Sequence, residues 1–152
     1  FFFLRPNHAS LESLDRMSSI VEKTEASSTG CHVCGGGDMN ALLSAEEVQR
    51  ELQTLRPNSK WTLSENQKVI SRAFVCKNWQ SAINAIQAIS SIAERPDIQH
   101  HPDLHLTSYR NLEIKIYTHA VDGLTEYDFK LARLIDEIPF EYSPKWRQEN
   151  SL

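Results

Sequence analysis

The chain has 152 residues, which suits one domain with a tail better than two. Sixteen Lys and Arg against twenty Asp and Glu leave a formal net charge of −4, so the basic footprint of non-specific nucleic-acid binding is missing. No apolar run approaches the roughly 20 residues that span a bilayer, and three Cys are too few for a disulfide scaffold and fit a reducing compartment better.

Residues 1–40 read as a leader. It opens on Phe1 rather than Met, and the apolar run to Leu4 is too short for a signal-peptide core. The stretch from Asn7 to Gly30 is rich in Ser and Thr. It is either disordered or the remnant of an organelle transit segment, although Glu12, Asp15, Glu22 and Glu25 are unusual in the latter. Leu11, Leu14 and Met17 have the spacing of a short helix with nothing to anchor it. Cys31 and Cys34 can bite a zinc ion, but a closed site needs four ligands and no second CxxC exists. Gly35, Gly36 and Gly37 follow without the Lys-Ser/Thr of a phosphate loop, so a linker with two incidental thiols is the plainer reading.

The texture changes near Asn40, and residues 41–140 read as the domain. Ser44 with Glu47 makes a capping box, Leu43 with Val48 a hydrophobic staple, and Ala45, Val48, Leu52 and Leu55 share a helical face up to Pro57 and Asn58. Trp61 to Leu63, a turn at Glu65-Asn66 and a strand from Lys68 to Cys76 read as a hairpin. Asn78 caps a second helix whose stripe is Trp79, Ala82, Ile83, Ile86, Ile89 and Ala93, with Trp79 expected in the core and Pro96 at the exit. Cys76 reads as a small buried hydrophobe. Leu104 to Tyr109 and Leu112 to Thr118 make a second hairpin turning at Arg110-Asn111. In its second strand Leu112, Ile114, Ile116 and Thr118 face one side, and Glu113, Lys115, Tyr117 and His119 the other. Thr125 caps the last helix with Asp128 three residues on; Phe129, Ala132, Ile135 and Ile138 line its buried side, and Pro139 ends it. Residues 141–152 read as a short polar tail.

Helix, hairpin, helix, hairpin, helix packs most simply as an α+β sandwich, a four-stranded antiparallel sheet with helices on one face. The other face and the strand edges have no cover from this chain, which points to an oligomer. Four of the six His lie between His100 and His119. Pro102 restricts His101 to extended shapes, and hairpin geometry brings the start of the third strand beside the end of the fourth. His100, His101, Asp103 and His119 therefore converge at one rim. Imidazoles titrating near neutrality both give and take protons, as a dehydration requires. The same set could hold zinc, but the adjacent pair His100-His101 is awkward for that, because extended neighbours point to opposite sides. Incidental surface His is the remaining alternative, and His105 has no assigned role.

These residues also carry a resemblance. Trp61, Phe74, Ala93-Glu94, His100-His101-Pro102-Asp103, Tyr109, Thr118-His119 and Gly123-Leu124-Thr125 with Asp128 resemble the pterin-4a-carbinolamine dehydratase family, over about Leu43 to Ile138. The resemblance implies a four-stranded antiparallel sheet with helices on one side, dimers or tetramers, and catalysis without metal or cofactor, with the pterin as substrate. Water leaves 4a-hydroxytetrahydropterin to give quinonoid dihydropterin. It implies His100, His101 and His119 as the active-site imidazoles, His101 and His119 moving protons and His100 positioning, with Asp103 and Thr118 holding the pterin or the imidazoles. The family commonly has Trp where this chain has Leu104, and an extra residue between Asp103 and Tyr109 suggests a bulge. Arg95 to Gln99 reads as an expanded loop. Divergent members of this kind occur in organisms with plastids or mitochondria, which suggests a mitochondrial or chloroplast address beside a cytoplasmic one. Two other readings stay open: a non-enzymatic dimerising cofactor that binds another protein without touching nucleic acid, and a pterin-binding assembly protein with little turnover.

Overall fold

The computed structural model describes residues 42–152; the leader and its two cysteines lie outside them. The elements in chain order are α1 (Ala45–Thr54), β1 (Thr62–Leu63), β2 (Ile70–Val75), α2 (Trp79–Ala93), β3 (Asp103–Thr107), β4 (Asn111–Ile116), α3 (Glu126–Asp136) and α4 (Pro144–Asn150). The sheet runs β1-β2-β4-β3 and every pair is antiparallel, so the expected α+β architecture is what the chain adopts.

The caps form where the side chains dictate. Ser44 and Glu47 exchange bonds at 2.8 and 3.3 Å, and Asn78 Oδ1 accepts from Ser81 N at 2.8 Å, which satisfies helix N–H groups that would otherwise lack partners. Alternation in the strands sorts the two faces. Ile70, Arg72 and Phe74 of β2 and Leu112, Ile114 and Ile116 of β4 are buried beneath the helices, which contribute Val48, Ala82, Ala85, Ile89, Phe129, Leu131, Ala132 and Ile135 to the same core. On the other face Asp103, Lys115 and Ser71 lie in one cross-strand row, and His105, Glu113 and Ala73 in the next. No helix among the described residues is long and apolar enough to cross a membrane.

Several local expectations change. Trp79 is 53% exposed rather than in the core. It is the first helical residue, and a helical side chain leans towards the N-terminus, so its indole projects off the end of α2 while the small Ala82 and Ala85 make the close approach to the sheet. The second hairpin turns earlier than Arg110-Asn111: Ser108 and Tyr109 are both left-handed, with φ of 45° and 56°. Asn111 is already paired with Val75 and Thr107. Pairing is unbroken from Asp103 to Thr107, so there is no bulge in β3. The tail carries a helix, α4. Ser143 N donates to Val75 O at 2.8 Å, and Trp146 stacks on Tyr142 at 4.7 Å and lies 6.4 Å from Phe74.

Between the first hairpin and the tail lies a buried ion pair. Arg72 Nη1 donates to Asp136 Oδ1 at 3.0 Å, Trp61 Nε1 donates to the same oxygen at 2.9 Å, and Arg72 Nη2 donates to the Tyr142 hydroxyl at 2.6 Å. The guanidinium carbon lies 5.3 and 5.2 Å from the Phe74 and Phe140 rings, within the range of cation–π attraction. Charges buried this deeply persist only when well partnered, and these partners join β2, α3 and the tail.

Cys76 is buried, as expected, and burial pushes its thiol up to about 11. A folded pKa above the unfolded one stabilises fully below the ordinary thiol range, and the contribution is lost as pH rises through about 11. In a chain whose Cys31 and Cys34 are replaced by Ser, iodoacetamide at pH 8 should leave the folded protein unlabelled by mass spectrometry and label it in urea. Rapid labelling of the folded chain would contradict the burial of this thiol.

Candidate active site

The site is built where α2 hands over to β3 and where β4 hands over to α3. After Ala93 the chain does not enter the sheet directly. Ile98 buries itself, Gln99 turns left-handed at φ 40°, and His100 N donates back to Ala93 O at 3.2 Å. Arg95 grips Asp97 through two bonds of 3.1 and 3.0 Å, and this contact holds the Asp97 carboxyl below its usual range. Lys130 of α3 donates to Asp97 O at 2.9 Å. The loop from Arg95 to Gln99 is thus tied at its start, its middle and its end.

The other handover begins at Thr118, which pairs with Gly123 across a single-turn 3₁₀ segment, His119–Val121. A Cβ at Gly123 would meet Leu42 Cδ1 at 2.4 Å, the tip of an exposed side chain that can swing aside. Thr125 then opens α3, and Asp128 accepts from its backbone N–H at 2.6 Å.

Asp128 does more than cap. It is fully buried. Its Oδ1 lies 2.7 Å from His100 Nε2, and its Oδ2 accepts from Thr118 Oγ1 at 2.9 Å and Thr125 Oγ1 at 3.0 Å. An ionised carboxylate only accepts, and toward that form of Asp128 His100 Nε2–H is the donor. One carboxylate therefore fastens the His100 loop, the end of β4 and the start of α3 together.

His100 and Thr118 are spent inside this knot and both are buried. Their chain neighbours emerge at the rim. His101 is 48% exposed, with Nε2 at 3.1 Å from Glu94 Oε1. His119 is also 48% exposed, and its Nε2 lies 3.9 Å from Asp103 Oδ1. Asp103 is two residues beyond His101 in the chain. The Tyr117 ring lies 4.1 Å from the His119 ring at an angle of 40°. Burial first, and then the Asp103 carboxylate beside it, hold the Tyr117 phenol above its ordinary range.

Of the residues expected to converge, His100 is buried against Asp128, His101 is exposed beside Glu94, and His119 is exposed beside Asp103. Sequence reasoning missed three contributors. Asp128 reads as a cap alone, Glu94 as a helix end, and Tyr117 as an outward strand residue. His105 lies on the outer sheet face opposite Glu113, and Leu104 turns inward opposite Ile114 and packs on the core. Among the described residues no group of three or more His, Cys, Asp or Glu is arranged to share a metal ion.

Two groups at one rim, each with a carboxylate neighbour, suit paired proton transfer to and from one small molecule. Residues 41–138 match the family model described as pterin 4 alpha carbinolamine dehydratase. A protein from Aquifex aeolicus provisionally named for that dehydratase is 42% identical over 96 residues, covering 63% of this chain and 89% of its own length. A similarly named protein from Legionella pneumophila (strain Corby) is 36% identical over 115 residues, 76% of this chain and 96% of its own. An Arabidopsis thaliana protein named pterin-4-alpha-carbinolamine dehydratase 2, mitochondrial, is 34% identical over 119 residues, 77% of this chain and 60% of its own. Among solved structures, a Brucella melitensis protein described as a transcriptional coactivator/pterin dehydratase superposes with a TM-score of 0.55 at 26% identity, covering 62% of this chain and 95% of its own.

Replacing Asp128 by Ala should cost about 3–5 kcal/mol, because it strands a buried imidazole and two hydroxyls. Thr118→Val removes one bond to a charged acceptor at nearly constant shape and should cost about 1.5–3 kcal/mol. Urea unfolding followed by circular dichroism measures both. A cost under about 1 kcal/mol for Asp128→Ala would remove it as the tie between these segments.

Proposed function

This chain belongs to the pterin 4 alpha carbinolamine dehydratase family, and from that premise we propose that it dehydrates 4a-hydroxytetrahydropterin through His101 and His119. The protein is a hydro-lyase. One imidazole gives a proton to the C4a hydroxyl, the C4a–O bond breaks, and its electron pair leaves with water. The other takes the proton from the neighbouring ring nitrogen, whose electron pair closes the C=N bond of the quinonoid dihydropterin. One proton enters the substrate and one leaves, so the pair of imidazoles ends with its proton count unchanged.

The observation that carries this reading is the Asp128 knot. It ties His100 to Thr118, which supports a site that uses the next residue on each segment, His101 and His119. Glu94 and Asp103 face these two imidazoles. His100 and Thr118 act as positioning residues through Asp128. Asp103 faces His119, and its carboxylate is the acceptor for an N–H of the pterin. A role confined to binding another protein leaves three imidazole–carboxylate pairs without a use.

The same reading extends to three further points. A homodimer or homotetramer is supported by the outer edge of β3, which pairs only with β4 among the described residues; a monomer by light scattering would remove it. A mitochondrial address, against a plastid or cytoplasmic one, is supported by the mitochondrial designation of the Arabidopsis relative, and a fluorescent fusion of the full chain decides it. The match over residues 41–138 supports a dehydratase domain at 41–140.

His101→Ala and His119→Ala should each lower the rate of dehydration by roughly 10²–10⁴, followed by absorbance with substrate generated by a pterin-dependent hydroxylase. Both side chains are exposed, so melting temperatures should hardly change, whereas His100→Ala should lose stability together with rate. No acceleration over buffer by folded wild-type protein would sink the dehydratase reading.

A further inference from the structure

His119 poses a physical problem that the knot beneath it does not solve. Its backbone starts a 3₁₀ turn, its side chain is 48% exposed, and its nearest carboxylate oxygen stands 3.9 Å away. A proton-transfer group needs a fixed direction, and an imidazole on a surface turn has several rotamers open to it. Of the polar and ring contacts described for its side chain, the closest besides Asp103 is the ring of Tyr117, 4.1 Å between centroids and tilted by 40°, within the range of favourable aromatic pairing.

Tyr117 is itself well fixed. It follows β4 with the outward parity of Glu113 and Lys115, yet it is half-buried and packs against the core. Its phenol interacts with Asp103, the same carboxylate that His119 faces. Tyr117, Asp103 and His119 therefore close a triangle in which each side chain touches or faces the other two. Two members are anchored, Asp103 by opening β3 opposite Lys115 and Tyr117 by packing on the core just after β4. The third rides on the turn.

We infer that Tyr117 is a positioning residue for the dehydration: its ring holds the His119 imidazole in place against Asp103. This rests on the dehydratase reading only for its kinetic consequence. The contact itself is a property of the folded chain. The ring does the holding, and ring and hydroxyl separate by substitution. Tyr117→Leu keeps an apolar group packed on the core and removes the ring. Tyr117→Phe keeps the ring and removes the hydroxyl.

Two readouts test this. In proton–carbon NMR spectra of the full chain, the His119 ring signals should be displaced by the Tyr117 ring current. They should stay displaced in Tyr117→Phe and return towards ordinary imidazole positions in Tyr117→Leu. In the dehydration assay Tyr117→Leu should lower kcat by roughly ten- to a hundred-fold, since small displacements of a reacting group cost that much, with KM within about two-fold. Tyr117→Phe should recover most of the loss. His119 signals unmoved by Tyr117→Leu, or a kcat that survives the loss of the ring, overturn the inference. A wild-type protein without dehydratase activity sinks the functional reading instead, and the NMR spectra alone then decide whether Tyr117 holds His119.

Discussion

One buried carboxylate organises this protein. Asp128 lies 28 residues after His100 and 10 after Thr118, and it bonds to both at 2.7 and 2.9 Å while capping its own helix. A lone carboxylate in so apolar a place would be costly. It is tolerated because donors from three segments fill its lone pairs. The consequence for function is geometric. The residues that satisfy Asp128 are used up beneath the surface, and the residues beside them in the chain are delivered to the rim as exposed imidazoles. Burial of one histidine and exposure of the next is what an extended pair with alternating directions provides.

The rest of the molecule keeps that knot in place. The sheet supplies β3 and β4 in unbroken register, which fixes Asp103 opposite Lys115, two residues before Tyr117. The loop before His100 is held by Arg95, Asp97 and Lys130. Far from the rim, a second buried charge pair, Arg72 with Asp136, joins β2, α3 and the tail. Two polar nodes thus brace α3 at opposite ends, Asp128 at its start and Asp136 at its last residue, with Phe129, Leu131, Ala132 and Ile135 packed between them. A helix pinned this way has little freedom to slide, and the rim inherits that rigidity.

Much of this was legible in the sequence because it is local. Ser44 with Glu47, Asn78, and Thr125 with Asp128 announce three helix starts, and the alternation from Leu112 to Thr118 assigns each residue of β4 to the correct face. The rim itself followed from hairpin geometry. What escaped was non-local or of double meaning. Asp128 satisfies a capping pattern so completely that nothing in its neighbourhood asks for a second role. Arg72 and Asp136 look like surface charges until residues 64 apart are folded together. Trp79 looked like core by periodicity, and only its position at the first turn sends it outwards. The helix at Pro144–Asn150 has too few apolar residues to show a stripe, and it is held by contacts of Trp146 with rings elsewhere in the chain.

The central claim is that the buried knot presents His101 and His119 together to one pterin while His100 stays behind them. A crystal structure with a bound pterin product tests this most directly. The account predicts that nitrogens of both His101 and His119 approach the ring around C4a within about 3.2 Å or through one water, with Asp103 on a ring N–H and His100 still bonded to Asp128. A pterin seated on the outer sheet face, or one touched by His100 in place of His101, would contradict it.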